Sequence, residues 1–469
     1  MGTRKQLKID LIQPRHNYAP SHGPGHIYLP NALLSVASRL ENAGIETIVH
    51  DENLNSAKIS SNVVGINLIG SPYIPQAIGI IDRISKTNNN SRFVLGGAGV
   101  SGLSDCQFRR LFGSNTFNGN NDFDLIAAFD SSPLVLRIDP PSKTSLVDSY
   151  EKIPDSIMKQ YLDREFCFYV SQGCKFACSF CAAHRTFRNL AGKVQKVSEV
   201  YRDHSILKKD LEYLVKRAKN LGLARLDFYV SNLDFFQSPQ ALFEFGEIVS
   251  DVKKSNPGFG IKFRALATVD SFLKARNQHF SLIERLVDSG LFCVGFGIDG
   301  MTPAVWKKVH KTTNTQDKCL TTIKTSKEDF GLIPEVLMVF GHEGVDTQET
   351  LDLAYDFTLD MVDRFNARPR PHVAKNIVPG NDGWTDPVNA TTIELLLSDP
   401  KSFQTLDFTA LPSWLTHPNP ELREIATNCF LKICQIPGNI TRYVKPITPD
   451  LTFDQVDSIR IFNEGRYDI

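Results

Sequence analysis

The sequence carries no excess charge of either sign: its 469 residues hold 52 lysines and arginines against 52 aspartates and glutamates. Without a net positive field there is no sequence-independent grip on nucleic acid or on an anionic membrane surface, so neither partner is expected. No run of 18 or more apolar residues is present that would span a bilayer. The opening Met1-Gly2-Thr3-Arg4-Lys5-Gln6 leads into Ile9-Asp10-Leu11-Ile12 without the apolar core and cleavage site of a signal peptide. Gln6 stands where a myristoylation signal has Ser or Thr. Internal repeats and low-complexity tracts are absent. The nine cysteines are odd in number and scattered apart from one cluster, a usage that suits thiols or metal ligands in a reducing compartment. A cytoplasmic globular protein is expected.

At 42% hydrophobic and 22% charged residues the composition is that of an ordinary globular chain, and the length suits roughly 100–200 residues in each of several domains. The first hundred residues alternate short apolar strands with amphipathic helices: strands at 8–13, 45–50, 63–68 and 93–95, helices at 33–43 and 74–84. This α/β order predicts a doubly wound parallel, Rossmann-like sheet over residues 1–140. Turn residues around Asp139-Pro140-Pro141-Ser142 mark a linker over 141–164. A second βα series follows, with strands near 166–170, 226–230, 260–266, 292–298 and 334–340, which predicts a partial or full TIM-like barrel over 165–388. From 389 to 469 the pattern is helical with proline breaks, as in a small C-terminal cap.

The strongest chemical signal is Cys174-Lys175-Phe176-Ala177-Cys178-Ser179-Phe180-Cys181, placed directly after a strand. Three thiolates on one loop suit an iron–sulfur cluster and leave one iron without a protein ligand; like an open zinc position, that iron can bind a substrate. A zinc site completed by a distant residue such as His184 is the alternative, although tetrahedral zinc sites usually pair their ligands as two short motifs.

With an aromatic residue before its third cysteine and a βα pattern behind it, the motif resembles that of the radical S-adenosylmethionine (SAM) enzymes, over about 165–385. The resemblance implies that Cys174, Cys178 and Cys181 hold a [4Fe–4S] cluster whose unique iron chelates the methionine of SAM. It also implies that the backbone at Phe180 lies near the adenine. Ser231 and Asn232 fall where many members have a Gly-Gly-Glu-like turn that receives the methionine ammonium, and this chain departs from that pattern. Arg264 is a candidate partner of the methionine carboxylate, through its planar donor fork. Gly295-Phe296-Gly297-Ile298-Asp299 resembles the family's fourth-strand segment, which makes Gly297 and Asp299 candidates at the ribose; a tight turn is the alternative. Phe340-Gly341-His342-Glu343-Gly344 resembles the Gly-x-Pro-Gly turn after the fifth strand, with Glu343 in place of the proline.

The N-terminal region resembles the cobalamin-binding domain that precedes the radical core in one branch of the family. Asn67 takes the position of a serine in its Ser-x-Leu element, and Gly96-Gly97 matches its paired glycines, whose backbone can approach a flat macrocycle closely. His22 is the candidate lower ligand of cobalt, without the aspartate that would orient it. An ordinary loop histidine, or a domain that keeps the fold and lacks the cofactor, are the alternatives. The remaining cysteines are expected as small hydrophobes, with Cys429 and Cys434 on a buried helix face and no second cluster.

The resemblance implies a cobalamin-dependent radical SAM enzyme in which a 5′-deoxyadenosyl radical abstracts hydrogen from an unactivated carbon of a small-molecule or peptide substrate. Methylcobalamin then methylates that carbon, and a flavodoxin- or ferredoxin-type donor supplies electrons. Ring contraction or cyclisation without methyl transfer is one alternative, and a non-catalytic iron–sulfur or electron-transfer protein is another.

Overall fold

The computed structural model describes residues 8–15, 28–119, 141–176, 178–181, 199–407 and 410–436. Two parallel sheets organise it. In the first, β1 (Lys8–Gln13), β2 (Glu46–Asp51), β3 (Val63–Asn67), β4 (Arg92–Gly96) and β5 (Thr116–Asn118) lie in the order β2-β1-β3-β4-β5. Val63–Asn67 is buried along its whole length, as expected of a central parallel strand covered on both faces. The order reverses between β1 and β3, and in open α/β sheets that switch point opens a crevice at the carboxyl ends of the strands. α1 (Asn31–Asn42) crosses from β1 to β2 and buries Leu33, Leu34, Ala37 and Leu40.

The second sheet contains β6 (Phe166–Tyr169), β9 (Arg225–Ser231), β10 (Gly260–Thr268), β11 (Leu291–Gly297), β12 (Ile333–Phe340) and β13 (Arg368–Val373). All its pairings are parallel, and β6 and β13 are its two edges. The barrel is therefore partial. β13 was not expected from the sequence, because Arg368-Pro369-Arg370-Pro371 carries two prolines, which suit only an edge strand. One set of alternate side chains, including Phe166, Phe168, Phe228, Phe263 and Phe296, faces the helices in a continuous apolar core. The other set faces inward and is polar: Tyr229, Arg264, Cys293, Glu335 and Arg370 contact one another there.

Residues 28–31 of the first domain reach the β6 edge of the open barrel. Asn31 Nδ2 donates to Cys167 O on β6 at 2.5 Å, and Tyr28 lies within electrostatic reach of Cys167 and Arg370, on the two edge strands. Leu29 and Leu34 join the barrel's own core. The stretch expected as a linker forms helices Val147–Glu151 and Asp155–Leu162, because Tyr150, Met158 and Tyr161 fall on buried faces and enter the same core. The chain after the last barrel strand is divided between the two units. Trp384, Leu396, Phe403 and Leu406 share a core with Ile74, Leu95 and Phe108 of the first domain, whereas helix Pro420–Cys434 places Leu422, Ala426 and Ile433 in the barrel core. Of the cysteines expected as small hydrophobes, Cys293, Cys319 and Cys429 are buried, Cys167 and Cys434 are half-buried, and Cys106 is exposed. Among the described residues no helix is long and apolar enough to cross a membrane.

A β-carbon at Gly102 would overlap the backbone of Pro379 and Gly380, where the first domain meets the chain after the barrel. Gly102→Ala is expected to lower stability by about 1–3 kcal/mol through overpacking. Gly79, in helix Ile74–Thr87, has open space around it, and Gly79→Ala is expected to raise stability by about 0.5–1 kcal/mol. Urea unfolding of the two variants, with opposite signs, checks both.

Candidate functional site

The cysteine loop hangs from a short antiparallel pair, β7 (Ser171–Gln172) and β8 (Val200–Tyr201), in which Ser171 faces Tyr201 and Gln172 faces Val200. Gly173 then turns the chain at φ +88°, where a side chain would be strained. Cys174, Cys178 and Cys181 follow, all half-buried. Ser179 pins the loop to the barrel: its N donates to Val309 O at 3.4 Å, its Oγ donates to Lys308 O at 2.9 Å, and its carbonyl accepts from Asp382 N at 3.2 Å. Burial pushes the Cys174 thiol up to about 11 and the Cys178 thiol up to about 12, and the neighbouring thiols add to each rise. Such thiols lose their protons at neutral pH only to a cationic centre such as iron. Among the described residues no group of three His, Cys, Asp or Glu side chains is arranged to hold a single metal ion. A four-iron cluster takes one thiolate on each of three irons, and three neighbouring thiols on one loop fit that donor set.

Phe180, Gly297 and Asp299 come together beside this loop. Asp299 follows the end of β11 at φ +59° and Gly300 continues at φ +144°. The Asp299 carboxylate is paired with Lys311, a residue the sequence did not single out, and Lys311 Nζ also donates to Gly297 O at 3.2 Å. The Lys311 ammonium stands 6.0 Å from the centre of the Phe180 ring. Burial alone would lower its pKa, but Asp299, with Cys178 behind it, raises it to about 12. A β-carbon at Gly297 would strike this ammonium at 2.5 Å, so the glycine makes room for the ion pair. His342 Nε2 bonds Asp299 O at 2.9 Å, and Gly341 and Gly344 both have positive φ, which gives the 341–344 segment its turn.

At the end of β9, Ser231 is half-buried and Asn232 is buried. Asn232 Nδ2 donates to Ser171 Oγ at 2.9 Å and to Glu199 Oε1 at 2.5 Å, while its Oδ1 accepts from Asp234 N at 2.7 Å. Asp234, fully buried, accepts from Thr268 N at 3.2 Å and from Ser271 Oγ at 2.6 Å, which ties the ends of β9 and β10 together. Neither Glu199 nor Asp234 stood out in the sequence, since each is a lone acid with no motif around it.

Arg264 lies elsewhere. It sits mid-strand on β10, stacked 4.7 Å over the Tyr229 ring, and its Nε and Nη2 donate to Glu165 at 2.5 and 2.7 Å, with Glu335 at 3.8 Å. Glu165 immediately precedes β6, at the amino end of the barrel, so the donor fork expected to hold a methionine carboxylate is turned inward and down. Burial would raise the Glu335 carboxyl, but Arg264 and Arg370 outweigh it and hold it below its ordinary value. Arg264 belongs to a buried charge network, where removing one partner strands the others.

The cobalamin candidates of the first domain line a cleft of about 420 Å³ between the two units. Asn67, Gly96 and Gly97 wall one side; Ser171, Gly173, Ser231 and Asn232, next to the cysteine loop, wall the other. Asn67 Nδ2 donates to Gln13 Oε1 at 2.9 Å. A β-carbon at Gly96 would overlap Gly119 O and one at Gly97 would overlap Leu68 O, so the close packing of neighbouring loops already requires both glycines. Gly65, Gly119 and Ala32 also line the cleft, which leaves much of that wall as bare backbone suited to a flat ligand. His22 lies outside the described residues.

Residues 168–354 match the Radical SAM superfamily model, so the chain carries a radical SAM domain. Over most of its length the fold is similar to those of two cobalamin-dependent radical SAM enzymes. The radical SAM methyltransferase TsrM from Kitasatospora setae, solved with cobalamin and a [4Fe–4S] cluster, is similar at a TM-score of 0.58 and 16% identity, over 80% of this chain and 76% of that one. OxsB, a cobalamin-dependent SAM radical enzyme solved with aqua-cobalamin and SAM, is similar at a TM-score of 0.57 and 13% identity, over 89% of this chain and 58% of that one. At these identities the likeness is one of fold. No curated protein matches the chain in sequence.

Lys311→Met would leave Asp299 buried without its cation, at an expected cost of about 3–5 kcal/mol. Adding Asp299→Asn should recover most of that loss. Urea unfolding of the cluster-free protein at pH 7 reads both, and equal stability of Lys311→Met and wild type would remove the ion pair from the account of this site.

Proposed function

We propose that the chain is a cobalamin-dependent radical SAM enzyme that methylates an unactivated carbon of a small-molecule or peptide substrate, with a flavodoxin- or ferredoxin-type protein as electron donor. The observation that carries this reading is the cleft itself. One wall is the carboxyl edge of the five-stranded sheet, at its switch point, and the opposite wall is the base of the cysteine loop. When bound, a [4Fe–4S] cluster supplies the electron that opens SAM to methionine and a 5′-deoxyadenosyl radical, and cobalamin supplies a transferable methyl group. Cys174, Cys178 and Cys181 hold the cluster; Phe180, Gly297 and Asp299 border the SAM site; Asn67, Gly96 and Gly97 border the cobalamin. The residues of the chain bind and orient these groups and exclude water from reactive carbon. The similarity to TsrM, a methyltransferase, favours methyl transfer over ring contraction or cyclisation.

Anaerobic reconstitution with iron, sulfide and hydroxocobalamin, followed by removal of unbound cofactor, tests the reading. The ultraviolet–visible and electron paramagnetic resonance spectra of wild type are expected to show a cluster and near-stoichiometric cobalamin. Cys174→Ala, Cys178→Ala and Cys181→Ala should each lose the cluster signal and keep the cobalamin. Reduction with SAM should yield 5′-deoxyadenosine from wild type only, and a product heavier by one CH2 separates methylation from rearrangement. A wild type without a cluster overturns the assignment, and a cluster without cobalamin makes the first domain a substrate or partner domain.

A further inference from the structure

Glu199 is a carboxylate at the barrel mouth that neither the cysteine loop nor the Ser231-Asn232 turn accounts for. It immediately precedes β8, and the β7–β8 pairing carries it to the flank of Cys174. Its Oε1 accepts from Ser171 Oγ at 2.7 Å and from Asn232 Nδ2 at 2.5 Å, and the same Asn232 amide reaches the Tyr201 hydroxyl at 3.4 Å. Its Oε2 is buried and, among the described residues, has no hydrogen-bond partner. Among the described residues, the nearby cations have other partners. Arg202 is paired with Asp210 and bonds Thr144 O, Lys175 donates to Gln237 O at 3.4 Å, and Lys311 holds Asp299. Asp234 adds further negative charge nearby, and burial outweighs the donors so that the Glu199 carboxyl is pushed up to about 7. A carboxylate held at Oε1 by two donors, with Oε2 buried and unpartnered and no ion pair to offset its burial among the described residues, suits a cationic donor. The residues that frame it, Ser171 and Asn232, also wall the cleft, so a ligand lying there comes up against the groups that hold Glu199.

We infer that Glu199 receives the α-ammonium of the methionine moiety of SAM, taking the place of the acidic turn that Ser231-Asn232-Leu233 lacks, with Ser171, Asn232 and Tyr201 as positioning residues. The inference rests on the proposed radical SAM function. It reassigns Asn232, whose amide is taken up by Ser171, Glu199 and Asp234 N, as a residue that positions the carboxylate. The carboxylate arrives from β8, 25 residues after Cys174, across a chain segment with no conspicuous pattern.

Calorimetric titration of the anaerobically reconstituted protein tests it with two probes. SAM carries the ammonium; 5′-methylthioadenosine keeps the adenosine and the sulfur without the amino-acid group. Glu199→Gln keeps an acceptor for Ser171 and Asn232 and removes the charge. It is expected to weaken SAM binding by about 10- to 100-fold, the worth of a hydrogen bond to a charged group, and to leave 5′-methylthioadenosine binding unchanged. Glu199→Asp, charged on a shorter arm, should fall between wild type and Glu199→Gln for SAM alone and guards against a folding defect in the first variant. Equal SAM affinity in wild type and Glu199→Gln, or equal weakening of both probes in both variants, overturns the assignment of Glu199 alone. A cluster-loaded wild type that binds no SAM overturns the proposed function together with it.

Discussion

The architecture depends on an edge left open. Six parallel strands curl into a barrel that does not close, and β6, which carries the chain into the cysteine loop, would present unpaired backbone groups along one side. Asn31 covers part of that edge by donating to Cys167 O, and Leu29 and Leu34 bury themselves in the barrel core. This contact fixes the first domain with the carboxyl edge of its sheet facing the carboxyl end of β6 and β9. The cleft between Gly96-Gly97 and Ser171-Gly173 is the space that this docking leaves. Because Asn31 opens α1, the same helix completes the βα unit of the first sheet and seals the second.

Inside that frame, charge is confined in two separate layers. Deep in the barrel, Arg264 and Arg370 meet Glu165 and Glu335 in a balanced network whose worth lies in orientation, since replacing buried ion pairs by apolar residues is often neutral or stabilising. Burial, with Arg370 beside it, holds His372 down at about 3, so this layer gains no further positive charge from it at neutral pH. At the mouth the balance differs: Asp299 is paired with Lys311, whereas among the described residues Glu199 is held by Ser171 and Asn232 and Asp234 by Thr268 and Ser271, with no ion pair at either. The ammonium inferred at Glu199 would supply a counter-charge there, in surroundings where water screens little.

Much of the fold was legible in the sequence because period and spacing are local. Apolar strands separated by amphipathic helices predicted both parallel sheets, and the strand limits agree to within a few residues. β13 escaped because its prolines contradict a strand everywhere except at an edge, and edge status is a property of the sheet. Residues 141–164 read as a linker because the turn residues that open them are conspicuous, while the burial of Tyr150 and Met158 depends on a core contributed by distant elements.

The sequence by itself determined the thiol set, since Cys174, Cys178 and Cys181 lie on one short loop and need no distant partner to meet. It also placed Phe180 on that loop and Gly297 and Asp299 at the end of a barrel strand. Only the tertiary structure decided which charges meet. Arg264 looked available until Glu165, 99 residues earlier in the chain, took its donor fork, and Glu199 looked unremarkable until Asn232 and Ser171 closed around it. The physical reason is one of range: the turn of a loop is set by neighbouring residues, whereas the partner of a buried charge is set by which strands the sheet brings side by side.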